Sequence, residues 1–147
     1  MDQVSHRQVH TLLAKYAESH RNHANEVIHF ICIPAIVFSF LGMIWAVHPF
    51  AALAVTVASL AYYFLLSVPF ALGMMLLSGA MLWVLSLLPQ GQVLWFSVAV
   101  FVVAWIGQFI GHKIEGRKPS FFDDLRFLLI GPLFVLGFLY RRLHIAY

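Results

Sequence analysis

Apolar positions in the middle of the chain are almost uninterrupted. No Asp, Glu, Lys or Arg occurs between Glu26 and Lys113. A transmembrane helix needs about 20 predominantly apolar residues, so this interval is long enough for several helices. A soluble domain would carry charged side chains throughout its surface. The pattern therefore predicts an all-α integral membrane protein, with residues 1–147 as a single domain.

Weak turn signals divide the apolar interval into four segments. Chain breakers occur at His48-Pro49, before Pro69 and from Pro89 to Gln92. The predicted transmembrane helices are residues 27–48, 50–68, 70–88 and 93–111. Each is long enough to cross a hydrocarbon core about 30 Å thick, since a helix rises about 1.5 Å per residue. Four transmembrane helices are therefore expected.

An amphipathic segment precedes the first span. Within residues 3–18, one helical stripe is apolar and the other side is polar. The stripe consists of Val9, Leu12, Leu13 and Tyr16. This pattern predicts an N-terminal helix that lies on the membrane or on its neighbouring helices.

The C-terminal apolar run, residues 127–140, is short for a membrane span and contains Pro132. We interpret it as a re-entrant or interfacial helix, with Ser120 as its N-cap and Asp123 completing a capping box. A short fifth transmembrane helix is the alternative.

Basic residues occur in the N-terminus, in residues 112–119 and in the C-terminal tail. The turns at 48–50 and 89–92 carry none. The positive-inside rule therefore predicts that both termini are cytoplasmic, in a bacterial inner membrane or the endoplasmic reticulum. The net charge of +3 then indicates contact with anionic headgroups rather than with nucleic acid.

Histidine and amide side chains collect at one predicted membrane surface. The first span begins near His20, His23, Asn25 and His29, and the fourth span ends near Gln108, His112 and Glu115. Ionisable residues at a membrane span indicate function by default. Neutral imidazole is the commonest protein ligand for zinc, iron, copper and nickel, so a metal site is one hypothesis.

Helical geometry restricts how these histidines can share a metal. His20 and His29 are nine residues apart. They would face opposite sides of a straight helix, because nine residues turn through about 900°. They can share one metal only if the helix breaks between them, with Asn22 or Asn25 capping a new helix. Asn25 would then lie on the same face as His29 and could orient it through a hydrogen bond.

Other functions and structural interpretations compete with a metal site. Gly107 and Gly111 form a G-x-x-x-G pair typical of close helix packing, and His48 is interpreted as an interfacial anchor. A small transporter is an alternative, but spans two and three contain no ionisable His, Asp, Glu, Lys or Arg. A metal-binding protein without catalysis, a scaffold and a zinc hydrolase are further alternatives.

Two sequence blocks resemble the yeast and bacterial 2-hydroxy fatty acid dioxygenase family. The first block is H-x4-N-x3-H at His20, Asn25 and His29, followed by Pro34. The second is the run from Gln108 to His112, followed by Glu115, Arg117 and Pro119. The resemblance implies a small helical membrane enzyme of fatty-acid α-oxidation and sphingoid-base breakdown. It would use Fe(II) and O2 to shorten a 2-hydroxy fatty acid by one carbon.

The resemblance also implies roles for individual residues. His20, His29 and His112 are the expected metal ligands and catalytic residues. His23, which lies outside the match, and Glu115 are further candidate ligands, while Asn25 and Gln108 are expected to support the ligands. Lys113, Arg117 and Arg21 are expected to attract the substrate carboxylate. Zinc is the alternative to iron, because histidine ligands discriminate weakly between the two metals.

Overall fold

The computed structural model describes residues 2–18, 20–116 and 127–147. Within these ranges the chain forms six helices and no strand. The helices are α1 (Asp2–Ala17), α2 (His23–Val47), α3 (Pro49–Leu66), α4 (Val68–Leu87), α5 (Gln90–Glu115) and α6 (Gly131–Arg142). The predicted all-α fold is therefore confirmed.

The four helices α2 to α5 are each long and apolar enough to cross a membrane. They correspond to the four predicted spans, with boundaries that differ by a few residues. Large apolar side chains cover their outer faces, including Leu65, Leu76, Trp95 and Val103. Apolar side chains are stable on such a surface because they face lipid rather than water. The structure thus supports a membrane bundle.

The predicted chain breakers lie at the helix junctions. α3 begins at Pro49, and the preceding His48 accepts a hydrogen bond from the backbone N–H of Phe50 at 3.2 Å. Pro69 lies in the first turn of α4, and Pro89 immediately precedes α5. Proline is favoured at these positions because its missing N–H would have no partner within the helix. Pro34 lies within α2, which continues through it.

The most extensive helix contact joins α2 to α5. A methyl group added at Gly107 would overlap the sulfur of Cys32, and one added at Gly111 would overlap the side chain of Asn25. The absence of side chains at these two glycines lets the helices approach closely, as expected for a G-x-x-x-G pair. This contact brings the beginning of α2 beside the end of α5.

The N-terminal helix α1 packs on its neighbours through the predicted apolar stripe. Val9, Leu13 and Tyr16 are buried, and Leu12 packs against the same cluster. The partners of α1 are α3 and α6. The stripe therefore closes one end of the bundle.

The C-terminal helix α6 is re-entrant. The turn before it reaches the middle of the bundle, where Leu128 lines a cavity together with Val37 of α2 and Ser78 of α4. From there α6 returns to the end at which α4 begins, where the hydroxyl of Tyr140 donates to the carbonyl of Pro69 at 2.7 Å. A helix of 12 residues is about 18 Å long, too short to cross a bilayer.

The described helix begins at Gly131, and Pro132 lies in its first turn instead of interrupting it. The predicted N-cap Ser120 and its partner Asp123 lie outside the described residues. The hydroxyl of Tyr63 fixes the turn before α6 by donating to the carbonyl of Leu129 at 2.8 Å.

Candidate functional site

A break between α1 and α2 positions the first histidine of the site. α1 ends at Ala17 and α2 begins at His23, so His20 lies in the connection. Asn22 is the N-cap of α2, and its side-chain oxygen accepts from the N–H of Ala24 at 2.9 Å. The break that a shared site for His20 and His29 requires is therefore present. It turns the His20 ring towards His29, with 4.3 Å between the ring centroids.

Three imidazoles meet at the end of the bundle. The ring centroid of His29 is 5.0 Å from that of His112, and the centroids of His20 and His112 are 6.1 Å apart. All three side chains are buried, with exposed fractions of 8% for His20, 1% for His29 and 6% for His112. Residues from the α1–α2 connection, α2 and α5 thus share one small volume screened from water.

Backbone carbonyls fix two of these rings. The Nδ1 atom of His20 lies 2.8 Å from the carbonyl oxygen of Tyr16. The Nδ1 atom of His29 lies 2.9 Å from the carbonyl oxygen of Asn25. A carbonyl oxygen can only accept, so each Nδ1 must carry the proton and donate it. The Nε2 atom of each neutral ring then has the lone pair, as in most histidines that bind metals.

Glu115 joins the two helices that carry the histidines. Its carboxylate accepts from the backbone N–H groups of Arg21 at 3.0 Å and Asn22 at 2.9 Å. It also accepts from the side-chain amide of Asn25 at 3.0 Å. A negative charge is favourable there, because the first N–H groups of α2 have no partners within the helix. Glu115 therefore acts as a clamp between α5 and the beginning of α2.

Asn25 orients His29 through a hydrogen bond, as its spacing suggested, and the acceptor is its backbone carbonyl. Its side-chain amide donates a hydrogen bond to Glu115, while its backbone carbonyl accepts a hydrogen bond from Nδ1 of His29. The absence of a side chain at Gly111 is part of the same arrangement. A Cβ atom there would lie 3.1 Å from Cε1 of His29 and would overlap the Asn25 side chain. The spacing of Asn25, His29 and Gly111 thus fixes how closely α5 approaches the site.

Two aromatic rings form walls of the site. Tyr16 stacks on His20, with 4.3 Å between centroids and 12° between planes. Phe134 of α6 lies 5.7 Å from His20 and 5.0 Å from Tyr16, measured between ring centroids. Sequence reasoning missed this contribution of α6, because Phe134 is one apolar residue among many in its run. The re-entrant helix therefore completes the wall around His20.

The structure places the other predicted residues at different distances from the cluster. His23 does not join it, since its side chain is 89% exposed and approaches Glu26 at 3.7 Å. Gln108 is buried, and its Oε1 atom has no hydrogen-bond partner among the described residues. Lys113 and Arg21 are exposed at the same end of the bundle, and Arg117 lies outside the described residues.

The donor set fits a metal such as iron or zinc, both of which bind neutral imidazole. It comprises three buried imidazoles, two of them held by their Nδ1 atoms. As the side chains stand, however, no three His, Cys, Asp or Glu in the described part of the chain are arranged to hold a metal ion. The His29 ring meets those of His20 and His112 nearly edge to face, at 79° in both cases. Binding of a metal would therefore need these side chains to shift from the arrangement described above.

Comparison with known proteins places the chain in a family. The family model described as 2-hydroxy-palmitic acid dioxygenase Mpo1-like matches residues 6–143. The chain belongs to the Mpo1-like family. The match includes both histidine-bearing blocks and α6, so the family resemblance inferred from the two blocks is confirmed.

One curated member of the Mpo1-like family is similar over most of both chains. The 2-hydroxy-palmitic acid dioxygenase MPO1 of Saccharomyces cerevisiae is 32% identical over 134 residues. The aligned region covers 84% of this chain and 75% of the yeast protein. No solved structure matches the chain.

Proposed function

We propose that this Mpo1-like protein is an iron-dependent dioxygenase that converts a 2-hydroxy fatty acid to the fatty acid one carbon shorter. The observation that carries the proposal is the buried cluster of His20, His29 and His112 at one end of a membrane bundle. Membership of the Mpo1-like family and the name of the yeast relative support the substrate class. A lipid with a polar head suits a site at the membrane surface.

In this proposal His20, His29 and His112 hold Fe(II) through their Nε2 atoms. Bound Fe(II) would supply O2 activation and polarisation of the 2-hydroxy acid for cleavage between C1 and C2. The Tyr16 and Asn25 carbonyls hold the Nδ1 protons in place, which leaves the Nε2 atoms of His20 and His29 as the ones that would bind the metal.

Other residues of the chain position the substrate. Lys113 and Arg21 are exposed at the rim and attract the carboxylate, a role also predicted for Arg117. The buried Oε1 atom of Gln108 is an acceptor suited to the substrate hydroxyl, which is a donor. Tyr16 and Phe134 exclude water from one side of His20. The basic residues at this end favour its location on the cytoplasmic face.

Metal analysis and turnover test the proposal together. The full-length protein is purified in detergent without a His-tag, reconstituted anaerobically with Fe(II), and compared with its His112→Ala variant. About one iron per chain, lost in the variant, and O2-dependent formation of the shortened acid would support the proposal. Absence of iron after reconstitution, or iron binding without any O2-dependent product, would contradict it. Zinc at equal stoichiometry together with hydrolysis would favour a different reaction class.

A further inference from the structure

A second cavity lies deeper in the bundle, away from the histidines. Its volume is about 120 Å³, and it is lined by α2, α3, α4, the turn before α6 and Pro132 in the first turn of α6, and is partly open to the outside of the bundle. Engineered apolar cavities of about 150 Å³ hold a molecule as large as benzene. The cavity is therefore large enough for several carbon atoms of a chain.

The walls of this cavity suit hydrocarbon. Most lining side chains are apolar, and the hydroxyl groups among them already donate to backbone carbonyls. Thr56 donates to Ala52 at 2.9 Å, Ser59 to Val55 at 2.9 Å and Ser78 to Met74 at 2.6 Å. Serine and threonine hydroxyls that already donate a hydrogen bond within their own helix are poor donors for a polar group of a ligand. The cavity is therefore a site for an apolar ligand segment.

The position of the cavity connects it with the histidine cluster. Leu128 lines both this cavity and a smaller one of about 20 Å³. Tyr16, which stacks on His20, and Gln108, one helical turn from His112, line the smaller cavity. Going from the histidines into the bundle, the small cavity comes first, Leu128 follows, and the large cavity lies beyond it.

Residues of α2 give the distance between the histidine cluster and the large cavity. His29 faces the histidine cluster, Ile33 lines the small cavity and Val37 lines the large one. These residues succeed one another at intervals of four, so they follow one face of the helix. The large cavity therefore begins about 12 Å along α2 from His29. A ligand whose head lies at the histidines would reach this depth only with a long chain.

We propose that the large cavity binds the distal part of the substrate's acyl chain and thereby sets the preferred chain length. This inference rests on the proposed 2-hydroxy fatty acid dioxygenase activity. The turn at residues 127–130 separates the two cavities, and α6 continues from it to the wall of His20. The segment formed by this turn and α6 thus lines the large cavity, proposed to hold the acyl chain, and also contacts His20, where the carboxylate head is proposed to bind.

Filling the cavity tests the inference through the chain-length profile. kcat/KM is measured for medium-chain and long-chain 2-hydroxy fatty acids with Ser59→Leu and Ser78→Leu. Long-chain turnover should fall by about 10–200-fold relative to medium-chain turnover, the range associated with one methylene in an apolar pocket. Ser86→Leu is the matched control, because Ser86 is exposed on α4 and donates to its own helix outside the cavity. An unchanged profile in both cavity variants would overturn the inference.

A photo-crosslinking experiment separates this inference from the proposed function. The probe is a long-chain 2-hydroxy fatty acid with a diazirine near its methyl end, and the labelled residues are mapped by mass spectrometry. Labelling of the segments around Val37 and Ser59, competed by unlabelled substrate, would support the cavity. Labelling confined to lipid-facing residues such as Leu65 and Leu76 would overturn it. A protein that is labelled in the cavity but inactive on every chain length would refute the proposed function while leaving the acyl site intact.

Discussion

The two ends of the transmembrane bundle are held together differently. At the histidine end, Glu115 accepts from Asn22, 93 residues away, and Tyr140 donates to Pro69, 71 residues away. At the opposite end, His48 accepts from Phe50, two residues away. Gln90 also reaches the carbonyl of Trp45 there, at a long 3.4 Å. Polar groups join distant parts of the chain mainly where the histidines are buried.

Histidine has a different role at each end of the bundle. His48 and His29 both lie near the end of a membrane helix, but His48 is exposed and caps a helix, whereas His29 is 1% exposed and contacts two other imidazoles. Burying a polar group within a bundle costs free energy unless its hydrogen-bond partners are in place. His29 is held by Asn25, which is itself bonded to Glu115 90 residues away, whereas the hydrogen bond of His48 is entirely local. A histidine tied in this way to a distant helix indicates function more strongly than a histidine that only caps a helix.

Removing a clustered imidazole should have the largest effect. Alanine at His20, His29 or His112 should abolish bound iron and turnover while membrane insertion is unchanged. The loss should exceed the about 10–100-fold that removal of a supporting partner causes. Iron content and O2-dependent product formation provide the measurement. Full metal and activity in all three variants would show that the cluster is not the site.

Gly111→Ala should disturb the same end through packing. The added methyl would lie against His29 and the Asn25 side chain, so α2 and α5 must separate. Overpacking of this kind costs about 1–3 kcal/mol of unfolding free energy, and activity should fall with it. Gly79→Ala is the matched control, because nothing lies within 4 Å of its Cβ position. Thermal unfolding in detergent and turnover should change for Gly111 and not for Gly79.

Glu115→Gln should have an intermediate effect. The amide keeps one acceptor oxygen but turns an NH2 group towards donors from Arg21, Asn22 or Asn25. We expect a loss of about 10-fold or more in iron affinity or kcat/KM, since the clamp supports the ligands indirectly. Glu26→Gln serves as the control, because Glu26 approaches the exposed His23 at 3.7 Å. Equal effects of the two substitutions would contradict the clamp.

His48→Ala should have the smallest effect. Loss of the cap on α3 should cost no more than about 1 kcal/mol of unfolding free energy, and turnover should be unchanged. Parallel measurements of unfolding and kcat/KM would check both parts. A large loss of activity would mean that the two ends of the bundle are not functionally distinct.

Much of the fold followed from the sequence, because a membrane restricts the possibilities to a few. The charge-free interval and its prolines predicted four spans. The sequence also offered Asn22 or Asn25 as the cap of a helix beginning between His20 and His29, and Asn22 is the cap that the structure shows. The histidine cluster followed from that break together with the placement of both helix ends at one surface.

Other contacts had no signal in the sequence. Phe134 and Tyr63 are indistinguishable from their apolar neighbours, yet one walls His20 and the other anchors the turn before α6. The role of Glu115 as a clamp depends on where two distant backbone N–H groups point, which residue spacing does not encode.

The re-entrant course of α6 has a consequence for biosynthesis. Of the described helices, α1 is synthesised first and α6 last, yet Tyr16 and Phe134 lie 5.0 Å apart between ring centroids. Contacts between such distant segments form late, because the intervening chain must be ordered first. The wall that Phe134 contributes to the histidine pocket can therefore form only after the four spans have been synthesised. A ribosome that has delivered α5 into the bilayer has made an anchored protein whose pocket still lacks one wall.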